Sequence, residues 1–120
     1  MQSQSPLADH AGDAFDLLGS HRRRLLLARV SEADGAVPLD WLAGRVAADE
    51  AGTATEAVTE RERERTAVWL HHADIPPLSA AGLLRYDPGR GLVSAGDLPL
   101  EGEEWLEMPV VEALEAWNGR

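Results

Sequence analysis

The chain has 120 residues, enough for one domain with a modest core. With 44% hydrophobic residues, four tryptophans and a formal net charge of -10, it is a globular acidic chain and not a disordered tail. The absence of cysteine excludes disulfides, thiolate metal sites and cysteine nucleophiles.

The expected elements run in chain order as follows. Residues 1–13 form a flexible N-terminal segment that lacks the charged and apolar regions of a signal peptide. A first helix spans residues 14–30, "AFDLLGSHRRRLLLARV", broken near Gly19 and Ser20, with Ser20 as N-cap of the second piece and Leu25, Leu26 and Leu27 on its buried side. "SEADGAVP" is a loop punctuated by Asp34-Gly35 and Pro38. In "LDWLAGRVAADEA", Leu39, Leu42 and Val46 recur at helical spacing with Trp41 alongside. After the break "GTATEA", Thr59 caps the longest helix, residues 60–74, and Glu62 completes a capping box. Pro76 and Pro77 end or kink that helix, and "LSAAG" adds a short turn closed by Gly82. Residues 83–87 and 91–94 then read as two strands around "DPGRG". Residues 97–120 form an acidic extension in which Pro109 starts a short amphipathic helix carrying Val110, Val111, Leu114 and Trp117. The expected core comprises Trp41, Leu42, Val46, Leu70, Leu78, Leu83 and Leu84. The fold class is mainly α with a small β-hairpin, and helices followed by a hairpin in this order, over residues 14–96, follow the winged helix-turn-helix plan.

The blocks "SHRRRLLLARV", "VPLDWLAGRVAADEAG" and "VTERERERTAVWLHHADIPPLSAAGLLRYDPGRG" resemble a small haloarchaeal winged-helix-like family of unknown function, some of whose members are described as transcriptional regulators. The resemblance covers residues 14–93. "LSAAGLLRYD" is similar to the end of the recognition helix in ArsR- and MarR-type regulators. Where the family pattern leads one to expect a His-Leu-Pro-Lys-Leu-like run, this chain has Asp74-Ile75-Pro76-Pro77-Leu78, without the basic residue. What the resemblance implies is a winged-helix regulator that binds double-stranded DNA.

All eleven basic residues are arginine, which together with abundant acids, Ala and Gly suits a salt-loving archaeon. The charge is uneven: -3 over residues 1–19, -1 over 20–96 and -6 over 97–120. A nearly neutral body is compatible with DNA. In "TERERERT", Glu60–Arg63, Arg61–Glu64 and Glu62–Arg65 are spaced to pair as a solvated face. Arg61 and Arg65, four apart, are alternatively placed to reach phosphates or guanine edges. Arg22 and Arg23 are candidates for phosphate contact from the first helix, and Arg85 and Arg90 flank the wing turn. Trp105, Val110, Leu114 and Trp117 are candidates for a homodimer or partner interface, or for docking on their own domain. Adjacent His71 and His72 point about 100° apart on a helix and so do not chelate one ion, and no HExxH spacing is present. No nucleophile elbow or phosphate loop raises the reactivity of Ser20, His21, Asp49 or Glu50. The expectation is therefore a cytoplasmic non-enzyme without metal, cofactor, membrane partner or small-molecule substrate. It is either a sequence-specific DNA-binding regulator or a winged-helix module that binds protein through its acidic extension without reading DNA.

Overall fold

The structure, a computed structural model, describes residues 18–107. Of the expected first piece of the opening helix the described residues include Leu18, which is buried in the core, while residues 14–17, Val110, Leu114 and Trp117 lie outside them.

Helix α1 (His21–Glu32) starts where expected. The Ser20 side chain accepts from the Arg23 backbone N–H, and Leu25, Leu26, Leu27, Ala28 and Val30 are buried. Gly35 then takes a positive φ of 97° in the following loop. Part of that loop is a short strand, β1 (Val37–Pro38), which the sequence pattern did not reveal. Two residues are too few to show alternation, and Pro38 reads as a breaker unless it sits on a sheet edge.

Helix α2 (Leu39–Ala51) buries Leu42, Ala43, Gly44, Val46 and Ala48 and ends at Gly52, whose φ of 70° suits a residue without Cβ. Trp41 is a correction to the expected core: it is 43% exposed. One position before Leu42, it points about 100° away from the buried line, and the Arg45 guanidinium lies 5.4 Å from its ring centre.

A 3-10 turn (Thr55–Ala57) leads to α3 (Glu60–Trp69), opened by the full capping box between Thr59 and Glu62. The helix neither stops at residue 74 nor breaks at the prolines. Its backbone widens through a π turn (Leu70–Asp74), in which the Ile75 N–H reaches the carbonyl five residues back at Leu70. It then continues as α4 (Ile75–Ala80). Pro76 and Pro77 have no N–H to give and clash with carbonyls one turn earlier, so the extra residue absorbs both problems. The carbonyl of Ala73, four residues before Pro77, receives its hydrogen bond from Arg23 instead, at 3.0 Å.

Gly82 (φ 81°) closes α4, with the Leu83 N–H bonded to the Leu78 carbonyl. Strands β2 (Leu84–Asp87) and β3 (Leu92–Ala95) form the hairpin, in the register Leu84↔Ala95 and Tyr86↔Val93. β1 adds to the other side of β3, Val37 opposite Val93, giving a three-stranded antiparallel sheet in the order β1-β3-β2. Behind it, Gly96 lies against Gly82, where any Cβ on Gly96 would collide with the Gly82 carbonyl oxygen.

The chain then returns to α1. Ser31 Oγ donates to the Ala28 carbonyl and accepts from the Gly102 N–H at 2.7 Å. A one-turn helix, α5 (Glu104–Glu107), sets Trp105 into the core. The fold is thus mainly helical with a small antiparallel sheet. Leu26, Leu27, Leu42, Val46, Leu70, Ile75, Leu78, Leu83, Leu84, Val93 and Trp105 form one core, which includes every expected core residue except Trp41.

Candidate nucleic-acid interface

The six arginines singled out from the sequence divide into two groups. Arg22 and Arg23 are a correction, because both are drawn into the protein. Arg23 pairs through Nε with Asp74 at 3.1 Å, besides capping the Ala73 carbonyl. Arg22 pairs with Glu50 at 3.0 Å, lies 4.0 Å from the second Asp74 oxygen and sits 5.9 Å from the Trp69 ring centre. Asp74 is buried, and its Oδ2 has no hydrogen-bond partner, so these two cations are what compensates its charge. The start of α1 is therefore fastened to the π turn and to the end of α2, not presented to a ligand.

Arg61, Arg65, Arg85 and Arg90 are exposed. On α3 the buried side is drawn by Thr66 and, just beyond, Leu70, with half-buried Arg63 and Ala67 flanking it. The opposite line, at spacings of four and three, carries Arg61, Arg65 and Val68. Glu60 turns aside to Arg63 at 3.2 Å. Glu62 bends back so that its carboxylate accepts from the Thr59 N–H at 2.8 Å. That bond, the Thr59 hydroxyl and the nearby Arg65 charge hold the Glu62 carboxyl below its ordinary range. Of the expected pairs, Glu60–Arg63 forms an ion pair, whereas Arg61–Glu64 and Glu62–Arg65 do not come within 4.0 Å. Arg61, Arg65 and Arg85 make no ion pair among the described residues. Glu64, also exposed, is the acid left beside them.

In the hairpin, Arg85 alternates with half-buried Tyr86 and so stands on the outer face of β2. Arg90, 78% exposed at the turn, leans toward Asp87 at 3.8 Å, and its N–H bonds the Asp87 backbone and side chain. The hairpin is tied to the helical rod by a 2.7 Å hydrogen bond between His71 Nδ1 and the Tyr86 hydroxyl, whose own ionisation burial pushes above its usual range. His72 meets His71 edge-on at 4.6 Å, and no group of three or more metal-ligating side chains occurs among the described residues.

For Trp105 the structure corrects the interface expectation and agrees with the alternative, docking on its own domain. Trp105 is 0% exposed, its indole N–H donates to the Leu100 carbonyl at 3.0 Å, and Arg24 donates to its backbone carbonyl. It belongs to the interior and leaves no surface for a partner. Among the described residues, the exposed large apolar side chains are instead Trp41, Val68 (57%) and Trp69 (52%). Trp41 lines an open hollow of about 470 Å³ with Pro38, Asp40, Gly44, Thr55 and Arg63.

Two residues that sequence reasoning passed over carry structural weight. Arg29 chelates Asp49 through Nε and Nη2, at 2.7 and 3.1 Å, and also meets Glu32 and Glu103, so one guanidinium links α1, α2 and the turn that leads into α5. Those bonds raise its already high pKa. Asp74 is the other. Its signal was available: an acid two residues before a pair of prolines, in a run of helical pattern, needs a cation nearby if it is buried.

No helix among the described residues is long and apolar enough to cross a membrane. Residues 15–94 match the family described as "Domain of unknown function (DUF7344)", and the chain belongs to it. No curated protein and no solved structure matches the chain.

Proposed function

We propose that this member of the family is a DNA-binding transcriptional regulator of winged-helix type that lays α3 in the major groove and uses the β2–β3 hairpin as a wing. It is cytoplasmic, not an enzyme, and works without a cofactor. The order α1-β1-α2-α3-α4-β2-β3, with β1 paired on β3, fits that plan. The observation that carries the reading is the outward line of α3. There Arg61 and Arg65 project without ion-pair partners among the described residues, while two of the three interleaved glutamates are engaged elsewhere. Arg forks of this kind suit the O6/N7 edge of guanine.

Long-range attraction contributes little. The segment 59–65 holds three Glu and three Arg, and the whole chain is acidic. Binding then depends on short, directional contacts, which survive high salt better than a diffuse basic patch does. This suits a halophilic archaeal host. With Arg61 and Arg65 on base edges and Arg85 and Arg90 on about two phosphates, the affinity should fall with salt at a log–log slope of roughly -2, shallow for a DNA-binding protein.

A second reading has its own observation. Val68 and Trp69 are adjacent and both more than half exposed, and such apolar surface also suits a protein partner, including a second copy of the chain. Selection from a random duplex pool, in dilute and in molar KCl, separates the two. Enrichment of a defined sequence supports the regulator. Failure to retain any duplex at either salt leaves the protein-binding reading.

A further inference from the structure

We infer that Val68 is a specificity-determining residue that reads the methyl group of thymine, on the same strip of α3 from which Arg61 and Arg65 read guanine. The inference rests on the DNA-binding reading above and adds a base preference to it.

Val68 is 57% exposed on a helix that gains nothing from it. A β-branched residue is a poorer helix former than the Arg and Glu around it, and at this exposure it contributes little burial. It lies three residues after Arg65 and seven after Arg61, opposite the buried Thr66 and Leu70, so the three side chains project along one line. At 1.5 Å per residue the line is about 10 Å long, which matches roughly three base-pair steps of 3.4 Å. In the major groove the thymine methyl is the apolar group that distinguishes that base, and an aliphatic side chain is its natural contact. Val is confined almost to one χ1 rotamer in a helix, so its methyls are held in place before DNA arrives. Trp69, turned sideways toward Arg22, leaves the outer line to Val68.

The test uses the full chain and the duplexes enriched from a random 20-base-pair pool. Each enriched duplex is remade with deoxyuridine in place of thymidine, which removes only the methyl groups. Losing one buried methyl contact, about 0.8 kcal/mol, weakens binding roughly fourfold. Wild type should show that loss. Val68→Ala should bind the two duplexes equally and match wild type on the deoxyuridine duplex. If wild type binds both duplexes equally, or if Val68→Ala remains as sensitive as wild type, the assignment is wrong while DNA binding stands. If no duplex is enriched, the DNA-binding reading fails and the assignment with it.

Discussion

Trp105→Ala is expected to destabilise the fold and leave the oligomeric state untouched. The indole is fully buried, and its N–H holds the Leu100 carbonyl at 3.0 Å. A buried tryptophan side chain removes roughly 200 Å² from water, so at about 25 cal/mol per Å² the transfer contribution approaches 5 kcal/mol as an upper bound. Relaxation of the site brings the expected cost of truncation to about 3–5 kcal/mol. Trp105→Phe should cost less, since most of the packing stays and the Leu100 carbonyl alone loses its donor, at about 1–3 kcal/mol. Urea unfolding followed by far-UV circular dichroism measures both. With a slope near 1.5 kcal/mol per M, the Ala variant's midpoint should fall by about 2–3 M. Sedimentation at matched concentrations should not distinguish either variant from wild type. A midpoint within about 0.5 M of wild type, or a change of oligomeric state at undiminished stability, would refute the interior placement of Trp105.

Arg23→Ala should cost about 3–5 kcal/mol, because it leaves the buried Asp74 carboxylate largely uncompensated. Arg61→Ala, at an exposed position without an ion pair, should stay within about 0.5 kcal/mol in the same unfolding assay. Gly96→Ala should lose about 1–3 kcal/mol in thermal unfolding, since the new Cβ meets backbone and not a flexible side chain; wild-type stability would contradict the close approach to Gly82. The lowered pKa of Glu62 makes its capping contribution fully present above the ordinary glutamate range and lost as pH falls through the lowered value. Glu62→Gln keeps an acceptor for the Thr59 N–H but does not titrate, so its acid unfolding limb should be less steep than wild type below about pH 4.3.

What the sequence revealed and what it hid follow from the range of the interactions involved. Ser20, Thr59, Glu62 and Gly82 act on their own backbone neighbourhood, and each sits where local pattern put it. The leucines at helical spacing likewise face inward, because amphipathic periodicity reports burial directly. Trp41 failed that logic: size and hydrophobicity suggested core, but its position is off the buried line and Arg45 shares its outer face. The passage of the helix through Pro76 and Pro77 depends on an arginine fifty residues away in sequence, which no local rule could supply. For the candidate site, spacing alone put Arg61 and Arg65 on one stripe. It could not show that Arg22 and Arg23 are spent on Asp74 and Glu50, nor that Trp105 is covered, since those facts belong to tertiary packing.

The central claim is that α3 reads DNA through Arg61 and Arg65. The direct measurement is the affinity of wild type, Arg61→Ala and Arg65→Ala for the duplex enriched by selection and for an unrelated duplex, in molar KCl. Each substitution should weaken binding to the selected duplex by about 1–3 kcal/mol and leave the weak binding to the unrelated one nearly unchanged. If both variants bind the selected duplex as tightly as wild type, or if both duplexes are weakened alike, α3 does not read the bases.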